Sequence, residues 1–428
     1  MNVNTKKILA IVLCLIISLS TLLSTQISVL ASDRVLAQNK GDFAFNKDVA
    51  FDLFKQFQTL HPNRKGGTEE EKAAATYLAN YLEEVGLSKY KGDSFIDDFS
   101  VYTEDELGEG SLSYSQNVVG VIKAKNNTDK QVIIGAHYDN VNSIMQSKST
   151  GAYDNGSGVA VVMALAQSLM EYDLPVNVVI AFFGMEEYGV LGSKDFAQNM
   201  TEEEKKNTLL MINVDSVSCG EYLYVYTDEI ARLHEEIFFE NAKKINFALT
   251  KMPKDKKTNG FFIASKSKEY YHVGLASDHA SFMDEGMLVI NFLGYNLQSK
   301  ENILGKEKDG HANIMHTDND TVENIISIYG EEFVKNRLGG LCNTIVNTLL
   351  DDNFVNACEN SYNNPTTIPF LYTNYFNLII VLTFATAFVV AVVVIAKKEN
   401  KKMPKIVRVQ VVKKEKETKE TPPDVFDL

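Results

Sequence analysis

Three apolar runs of strand length constrain this sequence most, because each leads into a histidine or a carboxylate. The runs are QVIIGAH (131–137), VNVVIAFFG (176–184, followed by methionine and two glutamates) and TLLMINVD (208–215). Uninterrupted apolar runs of this length are typical of strands that are buried on both faces. Segments rich in helix formers, such as GVAVVMALAQSLME (158–171), alternate with them. The pattern predicts an α/β fold with a mostly parallel (mixed) central sheet and helices on both faces.

The composition fits a folded protein that does not bind nucleic acid. Of the 428 residues, 45% are hydrophobic and 23% are charged, which is ordinary for a globular chain. The formal net charge of -14 lacks the surplus of lysine and arginine that phosphate binding needs. Residues 32–45 are a polar leader, and strand and helix patterns follow from residue 48 to 350. We predict that residues 32–350 form one domain, followed by a linker over 351–375.

The first 31 residues carry the three-part pattern of a secretory signal. Lys6 and Lys7 precede an apolar run that ends near residue 23, and Val29 and Ala31 fit the small residues of a cleavage site. We therefore predict a signal peptide over residues 1–31. An uncleaved N-terminal anchor is the alternative.

A second apolar segment, near the other end, predicts a transmembrane helix. Residues 376–396 contain no charge, and at about 1.5 Å per residue they span roughly 30 Å of hydrocarbon. Lysines follow at once in the tail (397–428), which marks that side as cytoplasmic. The two signals together predict a single-pass protein of the cell membrane, with its folded domain outside the cell and its C-terminus in the cytoplasm.

Histidine and carboxylate side chains gather at the ends of the predicted strands. In open parallel sheets the ligand crevice lies at the carboxyl ends of the strands. Separate strand ends therefore direct these side chains to one place. The residues are His137 and Asp139 in GAHYD, Asp154 in YDNGSG before the next helix, Glu186 and Glu187 in FFGMEE, and Asp215 in INVDS.

This set of side chains favours a catalytic zinc site, because histidines and carboxylates without cysteine leave room for water on the metal. Asp139 follows His137 by two residues and can accept the second N–H of its ring, which fixes the tautomer. The adjacent Glu186 and Glu187 can divide two roles between them, one binding metal and the other acting as general base.

Six motifs follow one another along the chain: GAHYD, YDNGSGVA, FFGMEEYGVLGS, NVDSV, SDHASF and HTDNDT. In this order they resemble the M28 zinc peptidases of the aminopeptidase Y and aminopeptidase S type, over about residues 50–350. The resemblance implies a zinc-exopeptidase fold, peptide substrates, aminopeptidase activity and two Zn²⁺ per chain. The roles that it implies are His137 and Asp215 on one zinc, Glu187 and His316 on the other, Asp154 bridging them, and Glu186 as general base.

The same resemblance implies supporting roles beside the metals. Asp139 and Asp278 stand where the family has supporting residues, and we expect Asp278 and His279 to contact the substrate. Many members have tyrosine immediately before the last histidine, where this chain has Met315. Stabilisation of the reacting carbonyl then has to come from the metals or from another donor, with Tyr188 and His279 as candidates.

Three alternatives stay open. His311 competes with His316 as a ligand, and the HTDNDT motif favours His316. The cysteines show no CxxC spacing, which argues against a thiolate zinc site, but a disulfide between Cys342 and Cys358 remains possible. For the function, the alternatives are a single-zinc glutaminyl-cyclase-like or carboxypeptidase-like enzyme, and a non-catalytic receptor-like ectodomain.

Overall fold

The computed structural model describes the greater part of the predicted domain. The described residues are 47–104, 110–141, 149–220, 222–227, 233–252, 262–264, 270–272, 277–295 and 314–363. The predicted signal peptide (1–31), transmembrane segment (376–396) and basic tail (397–428) lie outside them. Within the described ranges, no helix combines the length and the apolar character that a membrane crossing needs.

Strands and helices alternate along the described residues. The strands are β1 (Ser88–Lys89), β2 (Ile96–Glu104), β3 (Gly110–Ile122), β4 (Gln131–His137), β5 (Asn177–Phe183), β6 (Thr208–Asp215), β7 (Tyr222–Thr227), β8 (Thr250–Lys251), β9 (Phe262–Ala264), β10 (Tyr270–His272) and β11 (Val289–Tyr295). The helices are α1 (Lys47–Leu60), α2 (Glu69–Val85), α3 (Ser157–Leu169), α4 (Leu191–Gln198), α5 (Glu202–Asn207), α6 (Leu233–Lys244), α7 (His279–Asp284), α8 (Val322–Tyr329), α9 (Glu331–Leu349) and α10 (Phe354–Asn363).

One nine-stranded sheet organises these elements, in the order β1-β3-β5-β4-β6-β11-β7-β8 with β2 paired to β3. The four central strands, β5, β4, β6 and β11, run parallel to one another. β3 and β7 flank this centre and run antiparallel to it. β9 and β10 form a separate two-stranded sheet. The predicted mixed α/β fold is therefore confirmed, but the parallel pairing is concentrated at the centre of the sheet.

Alternate residues of the central strands pack into two separate cores, because successive side chains of a strand point to opposite faces. Ile134 of β4 and Ile212 of β6 pack on one face with residues of α1, α2, α3 and α9. Ile133 and Met211, from the same two strands, pack on the other face with residues of α4 and α7. Helices thus cover both faces, as the uninterrupted apolar runs predict.

Two predicted helices are interrupted at polar or glycine-containing segments. The helical spacing of apolar residues over 48–87 predicts a helix that stops at Gly86. In the structure a loop over 61–68 divides this segment into α1 and α2, and Gly86 caps the end of α2 as predicted. The sequence also predicts one final helix over residues 321–350, and the structure divides it at Gly330. The φ angle of 85° at this glycine ends α8 before α9 begins.

Part of the predicted linker (351–375) is helical. In α10, Cys358 is fully buried, and the hydroxyl of Tyr362 donates to the carbonyl oxygen of Thr208 at 3.0 Å. The folded part of the chain therefore continues beyond residue 350. Cys358 and Cys342 are both free thiols, so the possible disulfide between them is not formed.

Candidate active site

The central strand β4 ends at His137, between the ends of its two parallel neighbours. His137 is in register with Phe183, the last residue of β5, and Glu186 and Glu187 follow in a short 3₁₀ turn. On the other side, β6 ends at Asp215. These predicted site residues leave the sheet side by side, because parallel strands end at the same edge.

Asp154 reaches the same edge from a tight turn, Ala152–Gly156, that precedes α3. The Asp154–Asn155 peptide bond in this turn is cis. The side chain of Asn155 ties the turn to the end of β6. Its Nδ2 donates to the carbonyl oxygen of Val214 at 2.9 Å, and its Oδ1 accepts the N–H of Ser216 at 3.0 Å. The turn is thereby held against the carboxyl end of β6.

The carboxylate of Asp154 lies between two histidines. Its Oδ1 is 3.2 Å from Nε2 of His137, and its Oδ2 is 2.9 Å from Nε2 of His316. Nε2 of His137 also lies 3.4 Å from Oδ1 of Asp215, and Nε2 of His316 lies 3.2 Å from Oε2 of Glu187. The five residues form two groups of three that share Asp154, and within each group the ligand atoms lie within 4.8 Å of one another.

Asp139 is fully buried and contacts both a histidine and the acidic turn. Its Oδ1 lies 3.4 Å from Nδ1 of His137. The same oxygen accepts the main-chain N–H of Glu186 at 3.0 Å, and Oδ2 accepts that of Glu187 at 3.2 Å. Asp139 therefore fixes the position of the acidic turn relative to the histidine ring. Glu186 joins His137 and Glu187 in a third group of possible metal ligands.

Burial and mutual charge shift the pKa values of these groups strongly. Burial lowers the pKa of His137, but the charge of Glu186 and three adjacent carboxylates raise it well above its ordinary value overall. Burial likewise lowers the pKa of His316, and its contacts with Asp154 and Glu187 raise it to about 11. Burial raises the pKa of Glu187 to about 7 and that of Glu186 well above its usual range. Burial thus disfavours the charged forms of the two glutamates, and a positive charge beside them would favour those forms.

The donor set fits a cation on each side of the shared carboxylate. Among the described residues, the two ring nitrogens of His137 and Oε1 of Glu187 are buried and make no hydrogen bond. Buried polar atoms are normally satisfied by a partner, and imidazole nitrogens with carboxylate oxygens are the ligands of catalytic zinc. The residues present therefore suit the metal that the sequence predicts.

The remaining predicted residues have different surroundings. Asp278 and His279 are both fully buried at the start of α7. Burial raises the pKa of Asp278 to about 7, and the ring centroid of His279 lies 5.3 Å from that of Tyr226. Contact of this pair with a substrate stays a prediction. Met315 packs against the larger core, and His311 lies outside the described residues.

Three buried residues that sequence reasoning missed, Asp320, Arg64 and Glu71, contact the segments that carry the site. Asp320 accepts the N–H of Tyr153 at 2.5 Å and that of Asp154 at 3.2 Å. The HTDNDT motif contains Asp320, so the sequence held a signal for it. Arg64 and Glu71 stand in a polar loop and at a helix start, where charged residues are ordinarily exposed.

Comparison with known proteins places these motifs in a family. Residues 117–329 match peptidase family M28. Over 188 residues the chain is 29% identical to the alkaline phosphatase isozyme conversion protein of Escherichia coli (strain K12), a match covering 41% of this chain and 53% of that protein. Over 193 residues it is 29% identical to aminopeptidase YwaD of Bacillus subtilis (strain 168), covering 44% and 37%. The chain thus spans about half, or less, of the length of these curated relatives.

Solved structures share the fold. BSAP, a zinc aminopeptidase from Bacillus subtilis, matches with a TM-score of 0.56 and 18% identity, over 72% of this chain and 96% of that one. A Porphyromonas gingivalis glutaminyl cyclase matches with a TM-score of 0.51 and 18% identity, over 72% and 99%. At such identities the likeness concerns the fold alone. With the matched stretch and the motifs it contains, the chain carries a domain of peptidase family M28, the zinc metallopeptidase family that its sequence resembles.

Proposed function

We propose that this protein is a di-zinc aminopeptidase that removes N-terminal residues from peptides, with Glu186 as general base. The observation that carries the proposal is the position of Asp154, whose two carboxylate oxygens face His137 and His316 respectively. One carboxylate shared by two sets of ligands is what a pair of close metal ions requires.

In this proposal His137 and Asp215 would hold one zinc, Glu187 and His316 would hold the other, and Asp154 would serve both. Zinc ions bound there would polarise the substrate carbonyl and lower the pKa of water toward neutrality. The protein already holds the ligand atoms of each group close together, within 4.8 Å of one another.

Glu186 is the carboxylate best suited to move a proton. It lies next to the ligand Glu187 but belongs to neither of the two groups that share Asp154. Its main-chain N–H donates to Asp139, which fixes the point from which its side chain extends. A carboxylate at this point can accept a proton from water and return it to the leaving amine.

The name of one sequence relative supports the aminopeptidase proposal. Aminopeptidase YwaD is a sequence relative, whereas the fold, which a zinc aminopeptidase shares, does not by itself separate the activities. A glutaminyl cyclase also shares the fold, so a single-zinc cyclase is the second candidate. The presence of all five predicted ligands favours two metals. A non-catalytic ectodomain is disfavoured because neither a ligand nor the base is missing.

We also propose that the enzyme acts outside the cell, tethered by residues 376–396. The proposal is supported by the uncharged apolar segment and by the lysines that follow it. Protease treatment of intact cells should remove the folded domain and leave the tail protected. Protection of the domain would contradict this orientation.

An assay on three substrate classes tests the proposed activity. Zinc-loaded protein should release free amino acids from unblocked peptides and aminoacyl anilides, and a chelator should abolish the release. Release only from N-acetylated peptides would indicate a carboxypeptidase. Cyclisation of an N-terminal glutamine without release would indicate the cyclase. Turnover of none of them, by protein that contains metal, would favour the ectodomain.

A further inference from the structure

The loop between α1 and α2 (61–68) and the first turn of α2 precede the stretch matched to family M28, yet they contact the turns that carry its ligands. Arg64 is fully buried. Its main chain is paired with Asn140: the N–H of Arg64 donates to Oδ1 of Asn140, and the N–H of Asn140 donates to the carbonyl oxygen of Arg64, both at 3.1 Å. The loop is therefore attached directly beside Asp139.

The guanidinium of Arg64 joins two of the ligand-bearing segments. Nε donates to the carbonyl oxygen of Tyr138 at 2.5 Å, between His137 and Asp139. Nη1 donates to the carbonyl oxygen of Thr150 at 2.9 Å and Nη2 to that of Gly151 at 3.0 Å, where the turn containing Asp154 begins. One rigid fork of donors thus sets the distance between these two segments.

Glu71 makes the equivalent connection to the third segment. Its Oε1 accepts the main-chain N–H of Met185 at 3.1 Å, immediately before the acidic pair, and the hydroxyl of Ser115 at 2.8 Å. Its Oε2 accepts the N–H of Gly67 at 2.7 Å. The carboxylate therefore connects the loop, strand β3 and the start of the Glu186 turn.

The charge of Arg64 suits this location. Its hydrogen bonds go to neutral carbonyl oxygens, and the nearest carboxylates act on it through space. In order of effect these are Asp320, Asp139, Asp154 and Glu187. A buried cation that contacts only carbonyl groups is costly. Here it also offsets the negative charge of the ligand carboxylates, so it has a reason to be retained beyond local packing.

We infer that Arg64 and Glu71 are positioning residues for the metal centre, holding the turns of Asp139, Asp154 and Glu186 at the spacing that the metals need. The inference rests on the metal-dependent function proposed above. Loss of either residue removes no ligand residue and changes only the spacing of the turns that carry the ligands. Outer partners of this kind typically contribute roughly 10–100-fold to metal affinity.

Cobalt(II) titration of the metal-free protein tests the inference, because the visible spectrum of the bound ion reports its coordination geometry. The variants are Arg64→Met, Arg64→Lys, which keeps the charge but not the fork, and Glu71→Gln. The matched control is Arg337→Met. Arg337 is also a buried arginine that donates to carbonyl oxygens, but these are the carbonyl oxygens of Cys219 and Gly220, beyond the end of β6.

We expect all three test variants to bind cobalt at least roughly 10-fold more weakly than the wild type, with an altered spectrum and a lower kcat. Arg337→Met should keep the wild-type affinity and spectrum and lose only stability. If Arg64→Met does not fold, as judged by near-UV circular dichroism, the cobalt affinity and spectrum of Arg64→Lys are the test of Arg64.

Wild-type affinity and spectrum in folded Arg64→Lys and Glu71→Gln would overturn the inference while leaving the proposed function intact. Equal weakening in Arg337→Met would overturn it too, because the effect would then follow from lost stability. Failure of the wild type to bind cobalt would instead overturn the proposed function, and the inference with it.

Discussion

Oδ2 of Asp154 lies 2.9 Å from Nε2 of His316. The aspartate comes from the turn before α3 and the histidine from the segment before α8, so the contact joins distant parts of the chain. The other oxygen of Asp154 faces His137 at 3.2 Å. A single side chain thereby takes part in both proposed metal positions. Its substitution should affect both positions, whereas substitution of another proposed ligand should affect one.

Asp154→Asn is expected to weaken both metals, because the shared carboxylate belongs to both groups. Asp215→Asn, the matched change at a residue of one group, should weaken one metal and leave the other. We expect losses of roughly 10-fold or more in affinity. Metal analysis after dialysis against buffered zinc measures the content. Loss of a single metal in Asp154→Asn would contradict the bridging role.

Glu186→Gln is expected to lower kcat by roughly 10²–10⁴-fold, because the amide cannot accept a proton. Metal content should stay at the wild-type level, since Glu186 belongs to neither group that shares Asp154. Glu203→Gln, at an exposed position, serves as the control and should keep full activity. Retained turnover in Glu186→Gln would rule out this residue as the base.

Glu71 should make the metal-free protein less stable as pH rises. Burial, with the charge of Asp139 as the second cause, raises the pKa of Glu71 to about 8 from an ordinary value of 4.5. The folded state then holds a proton that the unfolded state has released. The resulting stabilisation is complete below pH 4.5 and is lost as pH rises through about 8.

Glu71→Gln should therefore flatten the dependence of unfolding free energy on pH between about 5 and 9, by on the order of 2–4 kcal/mol. Urea unfolding of chelated protein across this range gives the measurement. Glu83→Gln is the control, since Glu83 lies on the same helix with its side chain 66% exposed. Parallel curves for wild type and Glu71→Gln would refute the prediction.

Leu165→Ala is expected to cost about 2–5 kcal/mol of unfolding free energy, because the side chain is fully buried in the larger core beneath the sheet. Leu60→Ala provides a matched change at a leucine that is 52% exposed, where the cost should stay within about 0.5 kcal/mol. Denaturant midpoints report both. Similar costs at the two positions would mean that α3 is not packed as described.

The strand ends were predictable because their pattern is local. QVIIGAH and TLLMINVD each contain both the strand and the site residue that ends it, and parallel pairing then brings His137 and Asp215 to one edge. The helix stop at Gly86 was predictable for the same reason. His316 could be selected only through a motif, because no apolar run leads to it.

The support of the site was not predictable from local patterns. The role of Arg64 consists of hydrogen bonds to the carbonyl oxygens of Tyr138, Thr150 and Gly151, and any residue type offers a carbonyl oxygen.

Helix α10 was not predicted, because its contacts are tertiary, such as that of Tyr362 with Thr208. Its sequence alone resembles that of a polar linker.

The attachment of the 61–68 loop has a consequence for the transfer of such a domain to another chain. Residues 117–329 contain every proposed ligand and the base, so they look like a portable catalytic unit. A graft of that stretch into another chain would nevertheless arrive without Arg64 and Glu71. The stretch that similarity recognises and the stretch that must be transferred together are therefore different, and the second begins no later than the 61–68 loop.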